Sequence, residues 1–369
     1  MNKRILIVRN FASEVNLTSY NLQEVGLGKA FVDKGYDCDI IYYTKDKSSS
    51  QIVYESHERK LTIKWTKAIK FMSNSIYPSI LRKKLLNKYK LIISTEYNQV
   101  MTFLLSILCG EKLCLYHGPY KDNGNKFIQK TYDLVATPII RKKTSKVFVK
   151  SELAKSFLSR KGFENLETIG VGLDIDNLEK NTNENVLQDI TRAQGQNLLY
   201  VGVLEDRRNI EFLLNVVARC VRQNINRKLI LIGNGKEEDV RRYFSVAKSL
   251  NIESNIIHIK KLAQSDLKEV YQSADLFLFP TNYDIFGMVL LESMYYKLPI
   301  ISTLNGGSHT LFNNVEGGVI IDNFNERIWA EKINEILEDN VSRKEMGESA
   351  HLRIRNEFNW SFIANKIVG

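Results

Sequence analysis

Short runs of branched apolar residues alternate along this chain with longer amphipathic stretches, the pattern of a parallel sheet whose strands are joined by helices. In the first half the runs at 4–8, 38–43, 91–94, 113–116 and 147–150 read as strands, and 21–34 as a helix ending near Gly35. The second half repeats the pattern, with strands expected at 197–201, 229–232, 256–259, 276–279 and 299–302. Helices are expected there at 210–220, 265–272, 285–296, 327–337 and 343–358. Two such series predict an α/β chain of two Rossmann-like domains. The polar stretch 177–196 reads as the linker region, and the domains are placed at 1–170 and 171–350, with a closing segment at 351–369.

Length agrees, because 369 residues exceed one ordinary core and 44% hydrophobic residues can fill two. No apolar run approaches a membrane span, and the start MNKRILIVRNF lacks the long apolar core of a signal peptide, so a cytoplasmic protein is expected. Cys38, Cys109, Cys114 and Cys220 have neither disulfide-framework density nor zinc-ligand spacing and are expected to be reduced and mostly buried.

Charge divides the halves. Residues 1–170 carry 29 Lys and Arg against 15 Asp and Glu, a balance of +14, whereas 171–369 carry 23 against 27, or −4. The stretch 59–90 alone holds ten basic residues and no acid, and from 64 onward it interleaves them with aromatic and aliphatic positions. That mixture predicts an interfacial helix pair on an anionic membrane surface, on the inner face of the cell membrane. A solvated basic face over a buried one is the plainer alternative. No nucleic-acid motif or aromatic stacking platform accompanies the charge, so nucleic acid is not expected as a partner.

The most informative stretch is 275–307, DLFLFPTNYDIFGMVLLESMYYKLPIISTLNGG, a strand, loop, helix and strand. Asp284 stands just before the expected helix and Glu292 about two turns along it. Read alone, Asp284 is an N-cap and Glu292 a solvated helix residue. The whole pattern resembles the Glu-x7-Glu signature of family 4 glycosyltransferases, with Asp284 in place of the first Glu. The resemblance implies a GT-B fold, two Rossmann-like domains facing each other across a cleft, and retaining transfer of a sugar from a nucleotide-sugar donor, UDP- or GDP-linked, to a hydroxyl acceptor. A membrane-proximal or lipid-linked glycan is the expected acceptor, with no other cofactor and no metal. Two Asp-x-Asp tripeptides, at 37–39 and 174–176, are too short to argue otherwise.

The resemblance also assigns residues. Glu292 would hold the ribose hydroxyls and Asp284 hydroxyls of the transferred sugar, since a carboxylate accepts two hydrogen bonds from a vicinal diol. Backbone donors around Phe286 and Gly287, at the helix N-terminus, would face the diphosphate. Arg208 fits the family's phosphate-binding Lys position, Val203 stands where an Arg is usual, and Arg207 is placed to compensate. An exposed Arg pair on a turn is the alternative. Gly233, in Gly233-Asn234-Gly235, and Gly306, in Asn305-Gly306-Gly307, match family glycines beside the nucleotide and the sugar. His117, after a strand and before Gly118, resembles the cleft histidine near the sugar, or else is a turn histidine. The loop after the first strand lacks the family's glycine pair; Gly26 and Gly28 fall inside the following helix. A GT-B epimerase or phosphorylase and a non-catalytic GT-B partner subunit are the rival readings.

Overall fold

The structure is a computed structural model that describes residues 3–17, 22–71, 74–122, 124–178, 195–262, 264–312 and 317–369. Most of the expected linker at 177–196 lies outside these residues. The chain forms two compact units, Met1–Gly172 with Asn359–Gly369, and Leu173–Phe358.

The first unit contains strands β1 (Arg4–Val8), β2 (Asp37–Thr44), β3 (Ser49–Ser56), β4 (Arg59–Lys67), β5 (Ile69–Phe71), β6 (Asn74–Ile76), β7 (Leu91–Thr95), β8 (Leu113–His117), β9 (Lys146–Val149) and β10 (Leu166–Thr168). Eight of them form one sheet in the order β10-β9-β8-β7-β1-β2-β4-β3, parallel except for β3, while β5 and β6 pair as a hairpin. The spatial order reverses between β1 and β7, the switch point at which open parallel sheets bind ligands. Buried Leu6, Val8, Ile41, Ile92, Met101 and Leu105 belong to one core cluster of this unit.

The structure corrects the expectation for 59–90. Instead of an interfacial helix pair, the stretch begins with β4, whose Leu61 and Ile63 are fully buried and whose register sets Ile63 beside Ile40. Period-two alternation and the neighbouring strand win over the mixed composition. Several of its cations meet partners within the unit. Lys64 Nζ lies 2.8 Å from buried Asp39, and Arg59 pairs with Asp37 at 3.2 Å. Asp39 also accepts from Arg4 at 3.0 Å and from Tyr89 Oη at 2.6 Å, so this Asp-x-Asp carboxylate is engaged by its own unit.

The helix Gln23–Asp33 buries Gly26 and Gly28. A Cβ on Gly26 would stand 2.2 Å from Trp360 Nε1, and one on Gly28 2.6 Å from Leu61. Both glycines are therefore packing positions, and Trp360, of the same unit, fills the space that Gly26 and Gly172 leave.

The second unit carries β11 (Asn197–Val201), β12 (Lys228–Ile232), β13 (Ile256–Ile259), β14 (Leu276–Phe279), β15 (Ile300–Ser302) and β16 (Gly318–Ile320). They form one parallel sheet in the order β13-β12-β11-β14-β15-β16. Every residue of β11 and β14 is buried, as expected of strands covered on both faces. The helix Ile210–Gln223 buries Ile210, Leu213, Leu214, Val217 and Val221, a 3.6-residue stripe laid on that sheet. Here the order reverses between β11 and β14, which makes the loops after those two strands neighbours.

Candidate functional site

The loop after β11 runs Gly202-Val203-Leu204-Glu205 into a 3-10 turn, Asp206–Arg208, and the loop after β14 runs from Pro280 to Gly287. Hydrogen bonds join them. Asn282 N donates to Arg207 O at 2.9 Å, and Asn209 Nδ2 donates to Pro280 O at 2.8 Å. Asn209 takes a left-handed φ of 52°, which turns the chain sharply into the helix Ile210–Gln223.

Arg208 is held from several sides. Its Nη1 lies 2.6 Å from Asp284 Oδ2 and donates to Thr281 Oγ1 at 3.2 Å, and the guanidinium sits 5.2 Å from the Phe279 ring centroid. Its Nε is buried and has no hydrogen-bond partner among the described residues; the Glu205 carboxylate stands 4.0 Å from it. A buried donor left unmade costs about 1–3 kcal/mol, so this one is suited to an incoming acceptor. Arg207 is more exposed, donates to Tyr283 O at 2.7 Å and pairs with Glu205. Val203, half exposed at 51%, brings no charge to this loop.

The helix after β14 begins later than expected, at Met288 rather than 285. Asp284 Oδ1 accepts from Phe286 N at 3.1 Å in a local turn, and Gly287 has φ 75°, where a side chain would be strained. Asp284 is therefore a loop residue facing Arg208 and not the helix N-cap, and Glu292 lies just over one turn into the helix. The N-cap, Gly287, supplies no capping side chain. The Phe286 N–H expected to face an anion is already given to Asp284. Glu292 is almost completely buried, not solvated, and accepts from Tyr271 Oη at 2.8 Å. Tyr271, from the helix Gln264–Ser273, is a partner that sequence spacing could not supply.

The glycines do backbone work. A Cβ on Gly233 would fall 1.8 Å from Gly202 O, one on Gly306 2.0 Å from Ile285 O, and one on Gly307 1.6 Å from Phe286 O. Gly233 thus lets the loops after β11 and β12 touch, and the 306–307 pair lets the 284–286 loop rest on the helix Gly306–Leu311, where Gly306 N donates to Asp284 O at 3.1 Å.

His117 is the last residue of β8 in the first unit and is fully buried, flanked by Tyr97 edge-on at 5.4 Å and Phe157 stacked at 6.1 Å. Its Nδ1 lies 2.6 Å from Glu96 Oε2, which also accepts from Gly118 N at 3.1 Å. Glu96 was missed from sequence; its signal is an acid directly after a buried strand, and its φ of 62° marks a constrained position. Burial pushes the Glu96 carboxyl up, but the charges of His117 and Lys150 and the hydrogen bonds it accepts outweigh this and hold it below its ordinary 4.5. A depressed carboxyl adds stability in full above its unfolded value and loses it as pH falls through the folded one. Glu96→Gln is therefore expected to cost stability at pH 7, with the gap to wild type closing below about pH 4. Urea midpoints at stepped pH values check this.

Among the described residues no group of three or more His, Cys, Asp or Glu side chains is arranged to hold a metal ion. No described helix is long and apolar enough to cross a membrane.

Residues 185–353 match the family model described as glycosyl transferases group 1. D-inositol 3-phosphate glycosyltransferase of Corynebacterium diphtheriae is 28% identical over 174 residues, covering 46% of this chain and 40% of that protein. The capsular polysaccharide biosynthesis glycosyltransferase CapM of Staphylococcus aureus is 29% identical over 167 residues, covering 44% of this chain and 42% of its own. The chain thus spans about two fifths of the length of these curated relatives. Among solved structures, sucrose-phosphate synthase of Thermosynechococcus elongatus superposes with a TM-score of 0.71 at 19% identity, over 99% of this chain and 97% of that one. Anabaena Alr3699/HepE in complex with UDP gives 0.74 at 15% identity, over 99% and 98%. These are likenesses of fold, and they bear out the GT-B expectation.

Proposed function

We propose that this chain is a glycosyltransferase that moves a sugar from a UDP- or GDP-linked donor to a hydroxyl of a membrane-proximal or lipid-linked glycan, a reading supported by the match of residues 185–353 to the group 1 glycosyl transferase model. One observation carries the donor assignment: the buried Nε of Arg208, without a hydrogen-bond partner among the described residues, at the switch point of the second sheet. An anionic diphosphate oxygen supplies the acceptor that this donor lacks, and Arg207 adds charge at the same loop. The N-terminus of the helix Met288–Tyr295 favours negative charge next to them.

In this reading Glu292 takes the ribose hydroxyls and Asp284 a hydroxyl of the sugar. Gly233, Phe286, Gly287 and Gly306 shape the loops around the nucleotide. Transfer proceeds with retention. The bond from the anomeric carbon to the diphosphate oxygen breaks, the acceptor oxygen bonds the same face, and the acceptor proton passes to the leaving phosphate. The two arginines and the helix end stabilise the developing charge without a metal ion. That the HepE structure was solved with UDP supports the choice of donor class, and CapM's name supports a glycan product.

A thermal-shift panel of UDP, GDP, ADP, CMP and dTDP tests the donor class first. A nucleotide at 100 times its dissociation constant stabilises by about 2.7 kcal/mol, so one base is expected to raise Tm by several degrees. If none does, the non-catalytic subunit becomes the better reading. Donor turnover that needs no acceptor and releases no free nucleotide would instead favour an epimerase.

A further inference from the structure

The helix Lys126–Val135 of the first unit is amphipathic, yet it buries none of its residues. Its polar face is the one turned inward. Gln129 Nε2 donates to Tyr97 Oη at 2.9 Å, Tyr132 Oη donates to Tyr97 O and Gln99 O at 2.9 Å each, and Asp133 pairs with Lys161 at 2.5 Å. Asn125 caps the start by accepting from Phe127 N at 2.9 Å. These bonds fix the rotation of the helix and leave Phe127, Leu134 and Val135 exposed at 79%, 78% and 58%. With 3.6 residues per turn these three share one stripe with Ile128 and Thr131. Ile139, in the next helix, Thr137–Lys143, is exposed as well.

A contiguous apolar face on a helix anchored by its polar side marks a docking surface. Its surroundings decide for what. Residues 126–146 hold six cations, Lys126, Lys130, Arg141, Lys142, Lys143 and Lys146, against one acid, Asp133, a balance of +5, and that acid is already paired with Lys161. A second copy meeting this patch face to face would set one positive rim against another. We propose that the outward face of Lys126–Val135, with its flanking cations, docks on an anionic lipid surface, the apolar side chains entering the headgroup boundary and the cations meeting phosphate. This moves the membrane contact from 59–90, where it was first expected, to 126–146.

Flotation of the intact chain with vesicles tests the proposal without donor or acceptor, so its outcome is independent of the transfer reading. The wild type is expected to float with equal parts phosphatidylcholine and phosphatidylglycerol and not with phosphatidylcholine alone. Lys126→Gln/Lys130→Gln should weaken partitioning by roughly 5-fold per cation, and Phe127→Ser/Leu134→Ser by about 10-fold or more. Unchanged thermal melts are expected for both, because the substituted side chains are exposed. Lys83→Gln/Lys84→Gln, on the stretch first expected to bind, should keep most of the binding. Equal flotation with both vesicles, no flotation at all, or a larger loss from the Lys83/Lys84 pair would overturn the proposal. So would a wild-type dimer in sedimentation that Phe127→Ser/Leu134→Ser disperses, since the face would then cover a second copy.

Discussion

Arg208→Ala is expected to lower kcat by about 100- to 1,000-fold while leaving the fold in place, the loss typical when one preorganised donor to a developing anion is removed. Two effects add. The substitution deletes the buried Nε donor and the forked charge, and it strips Asp284 of the cation 2.6 Å away. The bare Asp284 carboxylate then repels the diphosphate. Arg208→Ala/Asp284→Asn should accordingly bind nucleotide more tightly than Arg208→Ala alone, without recovering kcat. Arg208→Lys keeps the charge but not the fork, and should fall between wild type and Ala. Steady-state kinetics with saturating acceptor, together with nucleotide affinity by calorimetry, separate the terms. A kcat unchanged in Arg208→Ala would remove this residue from the chemistry.

Glu292→Ala is expected to abolish the thermal shift produced by the cognate nucleotide, a loss of roughly 100-fold in affinity if two charge-assisted hydrogen bonds to a diol are forfeited. The same substitution withdraws the acceptor of Tyr271 Oη inside the core, which should cost about 1–3 kcal/mol of stability in the unliganded protein. The two consequences are separable. Glu292→Ala/Tyr271→Phe removes donor and acceptor together and should regain much of the unliganded Tm, yet remain silent to nucleotide. Recovery of the nucleotide shift in that double variant would show that Glu292 serves packing rather than the ribose.

Much of the architecture was legible because strands buried on both faces read as unbroken apolar runs. The expected strand at 197–201 matches β11 residue for residue, and 276–279 matches β14. Helix ends were less legible. The helix bearing Glu292 starts three residues late because an Asp side chain turns back on the Phe286 N–H and Gly287 adopts a left-handed φ. Both are local choices that apolar spacing does not register. The stretch 59–90 misled for a different reason. Its interleaved cations and apolar residues read as an interfacial helix pair on a membrane, but Lys64 lies on a strand and ends on Asp39, which is distant in the chain and adjacent in the sheet.

By itself, then, the sequence determined the two parallel-sheet units and the placing of Arg207, Arg208, Asp284 and Glu292 around strand ends, because periodicity and motif spacing are properties of neighbouring residues. Only the tertiary structure decided that Arg208 and Asp284 pair, that Glu292 is buried against Tyr271, that His117 leans on Glu96, and which face of Lys126–Val135 points outward. Each of these depends on groups that strand order brings together across tens of residues, or on which hydrogen bonds win the rotation of a helix. Neither is written in the spacing of hydrophobic positions along the chain.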